Sequence, residues 1–79
     1  MNDVQQQLLI ELEQEVKRRF PNVKVEGHWE RDGNMIALHV VAPDDDIADE
    51  VVEQLAPWSV DTLSKTGYLI YVVAVGQGK

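Results

Sequence analysis

Glu26, His28 and His39 are the residues here whose types and spacing come nearest to a metal site. Val23 to Arg31 alternates apolar and polar residues, which reads as a strand with one buried face. Asp32-Gly33 follows, a favoured pair for a two-residue type I′ hairpin turn, and Asn34 to Ala42 is the return strand. If Arg31 pairs with Asn34, Glu26 lies opposite His39, with His28 on the same face. On the other face Trp29 opposes Ile36, Gly27 opposes Leu38 and Val25 opposes Val40. Two imidazoles and a carboxylate could ligate zinc, nickel or iron. A structural zinc site needs a fourth protein ligand, for which Asp61 or Tyr71 are the available side chains. The plainer reading is a solvated outer face with a Glu–His cross-strand pair. The expectation is no bound metal, with these three residues as the candidates if one is present.

The second group is Asp44, Asp45, Asp46 and Asp49, in the stretch APDDDIADE. Asp45-Asp46-Ile47-Ala48-Asp49 has the DDxxD spacing that chelates magnesium–diphosphate in prenyl-chain enzymes. Those are large all-α proteins with two such motifs, and this chain has one motif in 79 residues. It also lacks the spaced oxygens, glycine and terminal glutamate of an EF-hand loop. A helix start accounts for every aspartate. Asp44 or Asp45 caps the first free N–H groups, and the remaining acids complement the positive end of the dipole.

Little else points to catalysis. There is no cysteine to form a thiolate or a disulfide. Ser59 and Ser64 lack the glycine-flanked elbow that exposes a hydrolase serine. Gly27, Gly33 and Gly67 are isolated, so no phosphate-cradling loop leads from a strand into a helix. The expectation is a protein that is not an enzyme and carries no cofactor.

The elements that would position these residues follow from periodicity. Asp3 to Arg19 predicts a helix, with Val4, Leu8, Leu12, Val16 and Phe20 on one stripe and Pro21 as its stop. Ile47, Ala48, Val51, Val52 and Leu55 predict a second helix that ends at Pro57. Trp58 to Ser64 reads as a third strand, Lys65-Thr66-Gly67 as a loop with a left-handed glycine, and Tyr68 to Val75 as an apolar fourth strand. Residues 76–79 read as a frayed tail of a single domain spanning 1–79. The expected fold is α+β, a two-layer sandwich in the order α-β-β-α-β-β. Its four-stranded antiparallel sheet has strand order 1-2-4-3, with both helices on one face. This layout resembles a circularly permuted ferredoxin-like plait. The resemblance implies a fold and no particular function.

Formal net charge is -7, from 14 acidic and 7 basic residues. Such a surface repels phosphate backbones and anionic headgroups, so neither nucleic acid nor membrane is an expected partner. Lys17-Arg18-Arg19 is the one basic cluster, and it matches the negative end of the first helix. The polar, glutamine-rich opening segment is not expected to act as a secretory signal, and the longest apolar run is far too short to span a bilayer. A cytoplasmic protein is expected.

Two helices can cover only one side of a four-stranded sheet. The covered set should include Val25, Trp29, Ile36, Leu38, Val40, Val60, Ile70 and Val72. The uncovered side should carry Met35, Ala37, Val41, Leu63, Leu69, Tyr71, Val73 and Val75, together with Lys24, Glu26, His28, His39 and Asp61. A contiguous exposed apolar patch marks an interface. The functional expectation is therefore an assembly module that homodimerises, or binds a protein partner, through the open sheet face. The alternatives are a small-molecule regulatory domain, a metal-binding protein using His28, Glu26 and His39, and an RNA binder stacking bases on Tyr71.

Overall fold

The computed structural model describes residues 1–77. Helix α1 (Asp3–Arg19) leads to strand β1 (Lys24–Glu30), strand β2 (Met35–Ala42), helix α2 (Asp45–Thr66) and strand β3 (Leu69–Gly76). The sheet has three strands in the order β1-β2-β3, with β1 antiparallel and β3 parallel to β2. This corrects the expected four-stranded antiparallel sheet and, with it, the likeness to a permuted plait.

The difference begins at Pro57. The helix does not stop there, and Trp58 to Ser64 continues α2 instead of forming a strand. Pro57 has no N–H to give to the carbonyl of Glu53, and proline inside a helix costs about 3 kcal/mol relative to alanine. Burial outweighs that cost. Ala48, Val51, Leu55, Ser59 and Thr62 form one buried stripe running straight through the proline, spaced three or four residues apart. Ser59 and Thr62 are polar, which is why the sequence pattern fades after Leu55. Lys65-Thr66 is then the last turn of α2. Gly67 does take the predicted left-handed conformation, with φ of 82°, but as the helix C-cap, its N–H donating to Leu63 O at 2.8 Å.

Parallel pairing of β3 follows from the length of α2. Twenty-two helical residues rise about 33 Å, enough to carry the chain back past the start of an eight-residue strand about 26 Å long. β3 must then run in the same direction as β2, as a β-α-β unit requires.

α1 is fixed at its start by a capping box. Asn2 Oδ1 accepts from Gln5 N–H at 2.8 Å, and Gln5 Oε1 accepts from Asn2 N–H at 3.0 Å. Gln5 is buried and also donates to Gly33 O at 2.8 Å, while Asn2 Nδ2 donates to Tyr68 Oη at 2.8 Å. These bonds tie the helix start to the hairpin turn and to the entry of β3. The buried stripe is Gln5, Leu9, Leu12 and Val16, so Val4 is displaced outward. The stop at Phe20-Pro21 stands as expected.

The hairpin departs from expectation in two places. Gly33 does not adopt positive φ, so the turn is not type I′, and four residues, 31–34, separate the strands. More consequentially, the register shifts between Val25 and Gly27. Val25 still faces Val40, but Gly27 faces His39, His28 faces Leu38 and Trp29 faces Ala37. This is a β-bulge, with one extra residue in β1, and it turns every later side chain of the strand to the other face.

The core lies between the helices and one side of the sheet. Ile36, Leu38, Val40, Ala42, Ile70 and Val72 project from β2 and β3 against Leu9, Leu12, Val16, Phe20, Val51 and Leu55. Gly76 belongs to β3, and Gln77 N–H still donates to Ala42 O at 2.9 Å; of the expected frayed tail, residues 78–79 lie outside the described residues. A Cβ at Gly76 would meet the Asp45 side chain and lie 2.6 Å from the Asp45 backbone nitrogen, so this close approach of β3 to the start of α2 needs glycine.

Candidate interaction site

The side of the sheet away from the helices is built by the pleat. On β2 it presents Met35, Ala37, His39 and Val41, and on the adjacent β3 Leu69, Tyr71, Val73 and Val75. On β1 it presents Gly27 and Trp29, with Lys24 at the far end opposite Val41. Six of the seven residues expected at an interface are thus gathered on one surface: Met35, Ala37, Val41, Leu69, Tyr71 and Val73. Leu63 is not among them, since it lies on α2. Asp61 is also helical and pairs with Lys65 at 3.0 Å.

Trp29 joins this face because of the bulge. Expected beneath the helices, it is 53% exposed, and its ring lies 3.8 Å from that of His39, tilted by 53°. Offset aromatic contacts of this kind contribute about 0.5–1.5 kcal/mol. Ala37, the cross-strand partner of Trp29, is fully buried although it points to the uncovered side. Val60, likewise expected in the covered set, is 66% exposed on α2.

The same shift separates the candidate metal ligands. His39 is on the open face, whereas His28 pairs with Leu38 and takes the opposite side. Glu26 occupies the bulge. His39 Nε2 is buried and has no hydrogen-bond partner among the described residues. Among the described residues, no group of three His, Asp or Glu side chains is placed to hold a metal ion. The aspartates act as a helix start. Asp44 Oδ1 accepts from Ile47 N–H at 2.8 Å, and Asp45 and Asp46 occupy the first turn.

The face is also distinct electrostatically. Neither β2 (MIALHVVA) nor β3 (LIYVVAVG) contains a single Asp, Glu, Lys or Arg. Among the described residues, charged side chains are confined to the helices, the turns and β1. On α1, Arg18 and Arg19 donate to Glu15 at 2.8 and 2.9 Å and hold its carboxyl below the ordinary value of 4.5. The last residue of β1 is also paired, with the terminal ammonium of Met1 3.4 Å from Glu30.

Both sheet edges are defended. β1 carries charges and the bulge, two devices that discourage strand addition. β3 is flanked by α2. Leu69 and Gln77 donate towards β2, so by alternation the carbonyl of Ile70 points outward, and Ser59 Oγ donates to it at 2.7 Å. The start of α2 closes over Gly76 at the other end. Between them an apolar cleft of about 210 Å³ is lined by Val52, Leu55, Ala56, Ser59, Val60, Tyr71 and Val72. That is smaller than the roughly 300–1,000 Å³ of a small-molecule site, and no polar groups converge on it.

No family model, curated protein or solved structure matches this chain. Among the described residues, no helix is long and apolar enough to cross a membrane.

Proposed function

We propose that this protein is an interaction and assembly module that works by placing its open sheet face against another protein surface. One observation carries the reading. Two adjacent eight-residue strands present Met35, Ala37, His39, Val41, Leu69, Tyr71, Val73 and Val75 on a side that neither helix covers, without one charged residue. Sheet faces left to water alternate apolar inside with polar outside, and these two strands do not. Contiguous apolar surface of this kind is the mark of a binding surface.

The edges favour the face over strand addition as the route of contact. β1 is charged and bulged, and β3 is lined by α2. A photo-crosslinking residue in place of Tyr71 should trap protein adducts in cells, self-adducts included. The same residue in place of Glu11, which is exposed on α1, should trap few. Equal yields from both positions would contradict the reading.

A further inference from the structure

We propose that His39 and Trp29 form a proton-operated cover on the open face: the indole lies against the neutral imidazole, and protonation of that imidazole parts the two rings. The device belongs to one chain and stands whatever covers the face. Its cause is a buried nitrogen. His39 Nε2 is shut off from solvent and has no hydrogen-bond partner among the described residues. A neutral imidazole tolerates this, because its one proton sits on Nδ1 and Nε2 is left as a lone pair. An imidazolium carries an N–H at both nitrogens. The second N–H, now part of a cation, would be buried with no acceptor, which is among the costlier arrangements in a protein.

Trp29 is the part that moves most easily. Its ring lies 3.8 Å from that of His39, yet the residue is 53% exposed. Gly27, directly across from His39, has no side chain to close over the imidazole. Turning the indole outward lets Nε2–H reach water and breaks no strand pair. One attraction opposes this, because a cation beside an indole face is drawn to the ring. It is smaller than the penalty for a buried cationic N–H without an acceptor.

The charges around His39 do not take the acceptor's place. On β1 they are Lys24, Glu26 in the bulge and Glu30, which pairs with the Met1 ammonium, while His28 takes the other side. On β3 the one titratable side chain is Tyr71, and α1 and α2 pack against the reverse of the sheet. Among the described residues His39 forms no ion pair with any of them. Acid therefore gives a face without charge a positive charge and a displaced indole.

Nuclear magnetic resonance of the purified chain between about pH 8 and about pH 5, the range in which an imidazole ordinarily changes charge, tests this. Ring-nitrogen shifts report the protonation of His39 directly, and residue assignment separates Trp29 from Trp58. At the upper pH, cross-peaks should join the Trp29 indole to the His39 ring protons. They should be lost as the ring-nitrogen shifts pass to those of imidazolium, while the amide signals of both helices stay in place. In His39→Phe, which keeps a ring but has no proton to gain, the Trp29 signals should not respond to pH. Should that variant unfold, His39→Gln provides the same comparison. Glu26→Gln should leave the response intact. The proposal is overturned by cross-peaks that persist with a protonated His39, by an imidazole that stays neutral at the lower pH, or by helix amide signals that vanish together with the ring contact. A Trp29 response that survives removal of His39, or one abolished by Glu26→Gln, also overturns it, because the cause is then another group.

Discussion

The two faces of the sheet are made from nearly the same amino acids and have opposite surroundings. On β2, Ile36, Leu38, Val40 and Ala42 are almost wholly buried by the helices, while Met35, His39 and Val41 on the reverse side are only half covered. On β3, Ile70 and Val72 are buried, and Tyr71, Val73 and Val75 are not. Both faces are apolar, yet α1 and α2 lie on one of them. A strand buried on both sides reads as a continuous hydrophobic run, and β2 and β3 have that composition without the second layer. The comparison teaches that these strands are patterned for two covers when the chain supplies only one.

Truncation is the sharpest way to break the comparison. Leu38→Ala, on the covered face, should cost about 2–5 kcal/mol in urea denaturation, through lost burial and the cavity left behind. Val73→Ala, on the open face, should cost about 1 kcal/mol or less when measured dilute, since its side chain is only half buried. The dilute condition matters, because association adds stability that grows with concentration. Equal losses at the two positions would mean that the faces are equally covered within one chain.

A smaller effect is expected at the boundary between the faces. Ser59→Ala removes the hydroxyl that satisfies the outward carbonyl of Ile70. Leaving that buried acceptor unpaired should cost about 1–3 kcal/mol. It should also raise amide exchange at the α2–β3 seam more than at the β1–β2 pair. Uniform exchange across the sheet would show that Ser59 does not guard this edge.

Much of the open face can be read from alternation. Met35, Ala37, Val41, Leu69, Tyr71 and Val73 share a side because period two is robust in strands without bulges. The first helix and the hairpin are legible for similar reasons, a clear stripe and a turn flanked by alternating residues. Two local features defeat the pattern. Pro57 looks like a stop, but Val51, Leu55, Ser59 and Thr62 stay in phase across it, and two of those four are polar. Periodicity counted on apolar residues therefore loses the helix where tertiary packing keeps it. The resulting β-α-β unit removes one strand and makes β3 parallel.

The second feature is the bulge. One extra residue between Val25 and Gly27 carries Trp29 from the covered face to the open one and parts His28 from His39. Gly27 is the only cue, since glycine inside a strand is common at bulges. Nothing lies within 4 Å of where its Cβ would be, so no packing requirement marks the position more strongly.

Photo-crosslinking in cells tests the second cover most directly. A crosslinking residue at position 71, on the open face, is compared with one at position 11, which is exposed on α1. The expected result is protein adducts from position 71 well in excess of those from position 11. Equal yields, or no adducts from position 71, would contradict an interface on the open face.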